Sequence, residues 1–169
     1  MDEEVELFIN GISAGRKPAD CASQNRVTFD VIYQPGTIEA VSYCSGKETS
    51  RTFLKTAGAP ASLRLTADRE TIGREYGDLG YVTVEIVDQE GCVVTYAEPK
   101  VSFEVTGAGE LIAIGTANPW SEESYVDTQR KAWQVRLLAV IRSSGQAGEI
   151  VLRAHMDGLP VSELGLNAQ

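Results

Sequence analysis

Val101, Phe103 and Val105 alternate with Ser102, Glu104 and Thr106, so every second side chain in this run is apolar. Successive side chains of a strand leave opposite faces of a sheet, and such a run buries one face while wetting the other. The same period returns in Val27, Phe29, Val31 and Tyr33, in Leu63 and Leu65, and in Val82, Val84 and Ile86. Ile150, Leu152, Ala154 and Met156 repeat it near the end of the chain. No long stripe of helical spacing competes, which restricts the chain to half-buried antiparallel sheets.

Turn chemistry separates the runs. Asn10-Gly11 is a hairpin signal, and Gln34-Pro35-Gly36 sets Pro before Gly where a tight turn wants them. Asp88-Gln89-Glu90-Gly91 reads as a type I turn with Gly at the left-handed position. Short strands spaced in this way predict sandwiches. Leu137 to Ile141 stands apart because it is apolar on both faces. Such a strand is either central with both sides covered or borders a neighbouring domain.

The small-residue stretch "KTAGAPA", Lys55 to Ala61, carries Pro60 and reads as a linker. Residues 58–169 have the length of a complete immunoglobulin-like sandwich, for which about 100 residues is usual. Residues 1–57 are too short for one and open directly in the strand-like "VELFING". The fold expected is therefore all-β: two immunoglobulin-like β-sandwich modules in tandem, the first truncated at its N-terminal end.

Composition narrows the partners. Fifteen basic against twenty-four acidic residues leave a net charge of −9, which repels phosphate backbones and anionic headgroups and argues against nucleic acid. No apolar run approaches the roughly 20 residues of a membrane span, and no basic-then-apolar leader opens the chain. Cys21, Cys44 and Cys92 are an odd set without CxxC spacing, so a zinc site is not expected. Cys44 and Cys92 read as small apolar side chains; a Cys21–Cys44 bridge is an open alternative in an exported protein.

The loop Gly115-Thr116-Ala117-Asn118-Pro119-Trp120 carries the chain's most prominent site candidates. Trp120 with Tyr125 would make a platform for a pyranose, since aromatic faces pack on CH-rich surfaces. The alternative, which is the commoner role, is that Trp120 covers the sandwich end or meets a neighbouring domain. Asn118 belongs with it in either role. Trp133, just before the two-sided apolar run, is assigned to the core or to an interdomain contact. Asp78, Asp88, Glu90 and Asp127 form no Asp-x-Asp-x-Asp loop and read as solvated turn residues rather than calcium ligands. His155 shares an outward face with Val151 and Arg153 and has no companion ligand. Gly107-Ala108-Gly109 has GxG spacing but no helix pattern after it, so a phosphate cradle is not expected.

Several segments in order, "VELFINGISAGRK", "FDVIYQPGTIEAVSY" and "RTFLKTAGAPASLRLTADR", resemble the region behind the catalytic barrel of bacterial glycoside hydrolase family 2 enzymes. "DLGYVTVEIVDQEGCVV", "VSFEVTGAGELIAIGTANP" and "RKAWQVRLLAVIRSSGQAGEIVLRAHMDGL" extend the likeness through their last β-sandwich, from about Val5 to Leu159. The chain departs from the usual pattern in the 115–119 loop, at Trp133, where Phe is commoner, and at Val135, where Gly is commoner. The resemblance is stronger for β-galactosidase-like members, and it implies a parent that performs retaining hydrolysis with two glutamates on a (β/α)8 barrel, about 5–5.5 Å apart. This chain has no Asn-Glu dipeptide and no βα alternation, so no catalytic residue carries over to it.

The resemblance thus implies non-catalytic accessory domains whose partners are the barrel and other domains of the parent, with a glycan or a second copy as further candidates. No cofactor or metal is expected. The parent's compartment is open: periplasmic, secreted or cytoplasmic. Two other classes remain, a carbohydrate-binding module using Trp120, Tyr125 or Trp133, and an immunoglobulin-like repeat of a bacterial surface adhesin. "VELFING" and the lack of an internal repeat fit the adhesin poorly.

Overall fold

The computed structural model describes residues 3–19, 21, 24–75 and 77–169. These form strands, turns and extended segments, with no helix among the described residues and none that could cross a membrane. The chain divides into two compact units, Met1–Thr56 and Ala57–Gln169.

The first unit holds β1 (Glu4–Ile9), β2 (Ile12–Pro18), β3 (Thr37–Cys44) and β4 (Lys47–Lys55) in one antiparallel sheet of order β2-β1-β3-β4. Asn10 (φ 50°) and Gly11 (φ 79°) both take the left-handed conformation that a two-residue hairpin needs. The Asn10 side chain does a second job. Its Oδ1 accepts the Thr37 amide at 2.8 Å and its Nδ2 donates to the Pro35 carbonyl at 3.1 Å, tying the first turn to the entry of β3. Gly36 lies directly against it, and a Cβ there would collide with the Asn10 amide.

The alternating run over residues 26–33 does not become a strand, contrary to its pattern. It stays extended and unpaired, with Val27 and Phe29 half-buried and Tyr33 exposed. Side chains hold it instead: Lys17 Nζ donates to the Thr28 carbonyl at 2.7 Å and lies 5.0 Å from the Phe29 ring centre. Alternation decides which side chains share a face, but a strand also needs a free backbone edge in register, and this segment meets none.

The second unit contains β5 (Ser62–Ala67), β6 (Thr71–Ile72), β7 (Leu79–Val87), β8 (Lys100–Gly107), β9 (Gly109–Gly115), β10 (Gln129–Lys131), β11 (Arg136–Ser143), β12 (Gly148–Met156) and β13 (Ser162–Ala168). They build a five-stranded sheet, β10-β8-β12-β13-β6, and a four-stranded sheet, β5-β7-β11-β9. Pairing is antiparallel except between β6 and β13. The inward side chains of both sheets form one core, among them Leu63, Val84, Ile86, Leu137 and Ile141 from one layer and Val101, Phe103, Ile150 and Leu152 from the other. Gly107 (φ 86°) turns the chain from one sheet into the other, where a Cβ would strike the Glu149 carbonyl.

β11 is central in its sheet, flanked by β7 and β9. Its sides differ, however. Leu137, Ala139 and Ile141 are buried, whereas Val140 is half-buried and Leu138 is 37% exposed. Coverage of both faces, one of the two readings of this apolar run, is therefore not what the described residues provide. Outward Leu138 and Val140 lie beside Thr83 and Tyr81 of β7.

Candidate functional site

The candidate site is built at the end of the sandwich where β9 runs into the 116–128 loop and β10 returns beside β8. The loop is organised by a residue that the sequence did not advertise. Arg130 is fully buried, because its flanking positions in β10 point outward while it points in. Its Nη1 donates to the carbonyls of Glu123 and Ser124, each at 3.1 Å, and its Nη2 to Ser121 Oγ at 3.3 Å. Its guanidinium lies 4.4 Å from the Tyr125 ring centre. A buried cation is expensive unless its donors are used, and here carbonyls, a hydroxyl and a π face use them. Its Nε is without a partner among the described residues.

Around this anchor the loop closes on itself. The Glu123 carboxylate accepts the Lys131 amide, with contacts of 3.3 and 3.2 Å, and Ser121 Oγ lies 3.4 Å from it. Asn118 Oδ1 accepts the Trp120 amide at 3.0 Å, fixing the backbone that carries Trp120. Lys131 Nζ pairs with Glu98 at 2.9 Å. Between these groups lies a groove of about 340 Å3, lined by Glu98, Asn118, Glu122, Glu123, Lys131 and Trp133, among others.

Trp120 is 78% exposed and meets Trp133 edge to face, ring centres 6.4 Å apart and planes at 68°. The structure thus brings Trp120, Trp133 and Asn118 together, and Tyr125 lies against the Arg130 guanidinium. Trp133 itself is half-buried and lies outside the core, whose neighbouring places are taken by Ala132 and Val135.

The turn that places Trp133 is unusual. Gln134 (φ 45°) and Val135 (φ 66°) both adopt the left-handed region, and the turn closes with the Arg136 amide donating to the Trp133 carbonyl at 3.1 Å. Two-residue turns of this kind normally use Asn-Gly, and a β-branched residue there is a conformational outlier. Val135 is nonetheless almost completely buried, so packing holds it in place.

The other candidates serve structure. Asp88 Oδ1 accepts the amides of Glu90 and Cys92 and its Oδ2 that of Gly58, which caps the turn ending at Gly91. Asp78 accepts the Gly73 amide at 2.6 Å, and Asp127 that of Thr128 at 2.6 Å. No group of three or more metal-ligating side chains converges among the described residues. His155 is exposed, 3.6 Å from Asp157. A larger hollow of about 430 Å3 includes His155, but its charged groups are engaged with one another: Arg153 pairs with Glu163 at 2.7 Å and approaches Glu104 at 3.9 Å. Cys21, Cys44 and Cys92 are free thiols, so the Cys21–Cys44 bridge is not formed.

The second unit is a two-layer β-sandwich with an organised loop at its end, preceded in the chain by a four-stranded β unit. The model of the glycoside hydrolase family 2 C-terminal domain 5 matches residues 63–165, and a domain of unknown function (DUF4982) matches residues 2–50. The chain belongs to glycoside hydrolase family 2. It is 37% identical over 167 residues to a beta-galactosidase of Bacteroides ovatus, covering 99% of this chain and 20% of that protein. A beta-galactosidase of Thermoanaerobacter pseudethanolicus is 30% identical over 172 residues, with 90% of this chain and 21% of the relative covered. Among solved structures, a family 2 glycosyl hydrolase of Bacteroides cellulosilyticus superposes with a TM-score of 0.95 at 37% identity, over 99% of this chain and 22% of that one. The chain therefore spans about a fifth of the length of the curated relatives it matches.

Proposed function

We propose that this chain is a non-catalytic β-sandwich part of a glycosidase acting on β-galactosides or related glycans, and that its work is mechanical support of the enzyme's other domains. The observation that carries the reading is the match to two beta-galactosidases along nearly all of this chain but only a fifth of theirs. Its acidic side chains also favour a supporting role. Near the groove, Glu123 accepts an amide and Glu98 pairs with a lysine, and the aspartates of the turns cap backbone.

The surface proposed for docking is the outward side of the four-stranded sheet, where Leu138 and Val140 lie beside Tyr81. The barrel and neighbouring domains of the parent are the partners proposed for it. Removing residues 58–169 from the full-length enzyme should lower its melting temperature and soluble yield, read beside turnover of an aryl β-galactoside. Unchanged stability and activity would refute the supporting role. Hydrolysis of that substrate by the isolated chain would refute the non-catalytic assignment.

A further inference from the structure

We propose that the groove beside Trp133 is a subsite for one neutral pyranose unit of a glycan, with Trp133, which Trp120 meets edge to face, as its aromatic wall. This inference takes its ligand class from the reading of the chain as part of a glycosidase; the groove itself is argued from geometry.

Three observations converge on it. Trp133 lines the groove, half-buried, and Trp120 braces it by edge contact. An aromatic held in place while partly open offers a stacking face at little entropic cost. The turn that carries Trp133 keeps two non-glycine residues in the left-handed region, a strain that folding alone would have removed with glycine. Finally, the groove holds polar groups left open. Asn118 Nδ2 and the Glu122 carboxylate have no partner among the described residues, while Glu123 and Glu98 are engaged by Lys131. A concave site with an aromatic wall and a few unpaired donors and acceptors is what a polyhydroxylated ring requires.

Charge selects within that class. Three glutamates line the groove against one lysine, and that lysine is paired with Glu98. A hydroxyl can donate to the free Glu122 carboxylate, whereas a uronic acid or sulfate group would meet it as a like charge. The buried Arg130 is spent on loop carbonyls and is not among the groove's lining residues.

The test uses the 169-residue chain, with its backbone amide and indole NMR signals followed during titration by lactose and, separately, by sodium glucuronate. Lactose should shift the Trp120 and Trp133 indole signals saturably, and glucuronate should bind at least about tenfold more weakly. Trp133→Ala should weaken lactose binding about tenfold, and Trp133→Phe, which keeps a ring at the same place, should weaken it less. Glu122→Gln should narrow the gap between the two sugars. The proposal is overturned by lactose leaving both indoles unmoved, by glucuronate binding as tightly, or by lactose binding that is undiminished in Trp133→Ala. Each of those results leaves the supporting role standing, since that is decided by the deletion in the full-length enzyme.

Discussion

Arg130 and Tyr125 are stacked, guanidinium on ring at 4.4 Å, and through this pair a fully buried cation holds the loop that forms one side of the groove. The relationship joins fold to site: the inward position in β10 supplies the arginine, and the arginine shapes residues 121–125.

Arg130→Leu should therefore destabilise the second unit by about 2–3 kcal/mol, because it strands two loop carbonyls that are now satisfied. Arg130→Lys keeps the charge but not the planar fork, and should lose about half as much. Urea unfolding gives the stability, and hydrogen exchange of residues 121–125 should rise in both variants. Wild-type behaviour of the lysine variant would show that the fork is unimportant.

Gln134 is exposed and left-handed, so its conformation is strained without compensation from burial. Gln134→Asn should raise stability by about 0.5–1 kcal/mol, measured as a shift in the urea midpoint at unchanged slope. Val135→Gly is expected to differ. Relief of strain there is offset by lost core packing, and the net change should be small or destabilising. A stabilisation by Val135→Gly larger than that by Gln134→Asn would contradict this division.

Glu85 lies between Arg64, at 2.6 Å, and Arg136, at 2.9 Å, on the outward side of the four-stranded sheet. Burial pushes its carboxyl up, but the hydrogen bonds and charges of the two guanidiniums outweigh burial and hold it below the ordinary range. A carboxylate whose folded value is depressed adds stability above its unfolded value, about 4.3, and that contribution fades as pH falls through the folded value. Glu85→Gln should thus cost about 1 kcal/mol at pH 7, with both arginines partly exposed and screened, and progressively less below pH about 4. Melting curves of both proteins across that range should converge on acidification; a constant difference would refute the linkage.

Gly107→Ala should be among the most damaging small substitutions, at about 3 kcal/mol, because it combines a left-handed backbone with a collision against the Glu149 carbonyl. Gly145→Ala has a similar φ of +88° and nothing within 4 Å, so it isolates the backbone contribution at about 1 kcal/mol. Thermal unfolding of the pair separates collision from conformation, and equal losses would show that the carbonyl yields.

The strands of the second unit were legible because their information is local. Alternation in Val82-Val84-Ile86 or Ile150-Leu152-Ala154 names the buried face, and Asn10-Gly11 or Asp88 to Gly91 names the turn, whatever the rest of the chain does. Asn118, Trp120 and Trp133 were likewise recognisable as residue types that sites use. Residues 26–33 carry the same alternation and form no strand, since pairing depends on a partner edge that no local pattern reports. Nor does any local pattern distinguish Arg130 from a solvated arginine. Its burial, the Trp120–Trp133 contact and the open outward side of Leu138 exist only because distant segments come together. Periodicity and turn chemistry act over a few residues, whereas desolvation of a charge or convergence of two indoles is decided by which strands become neighbours.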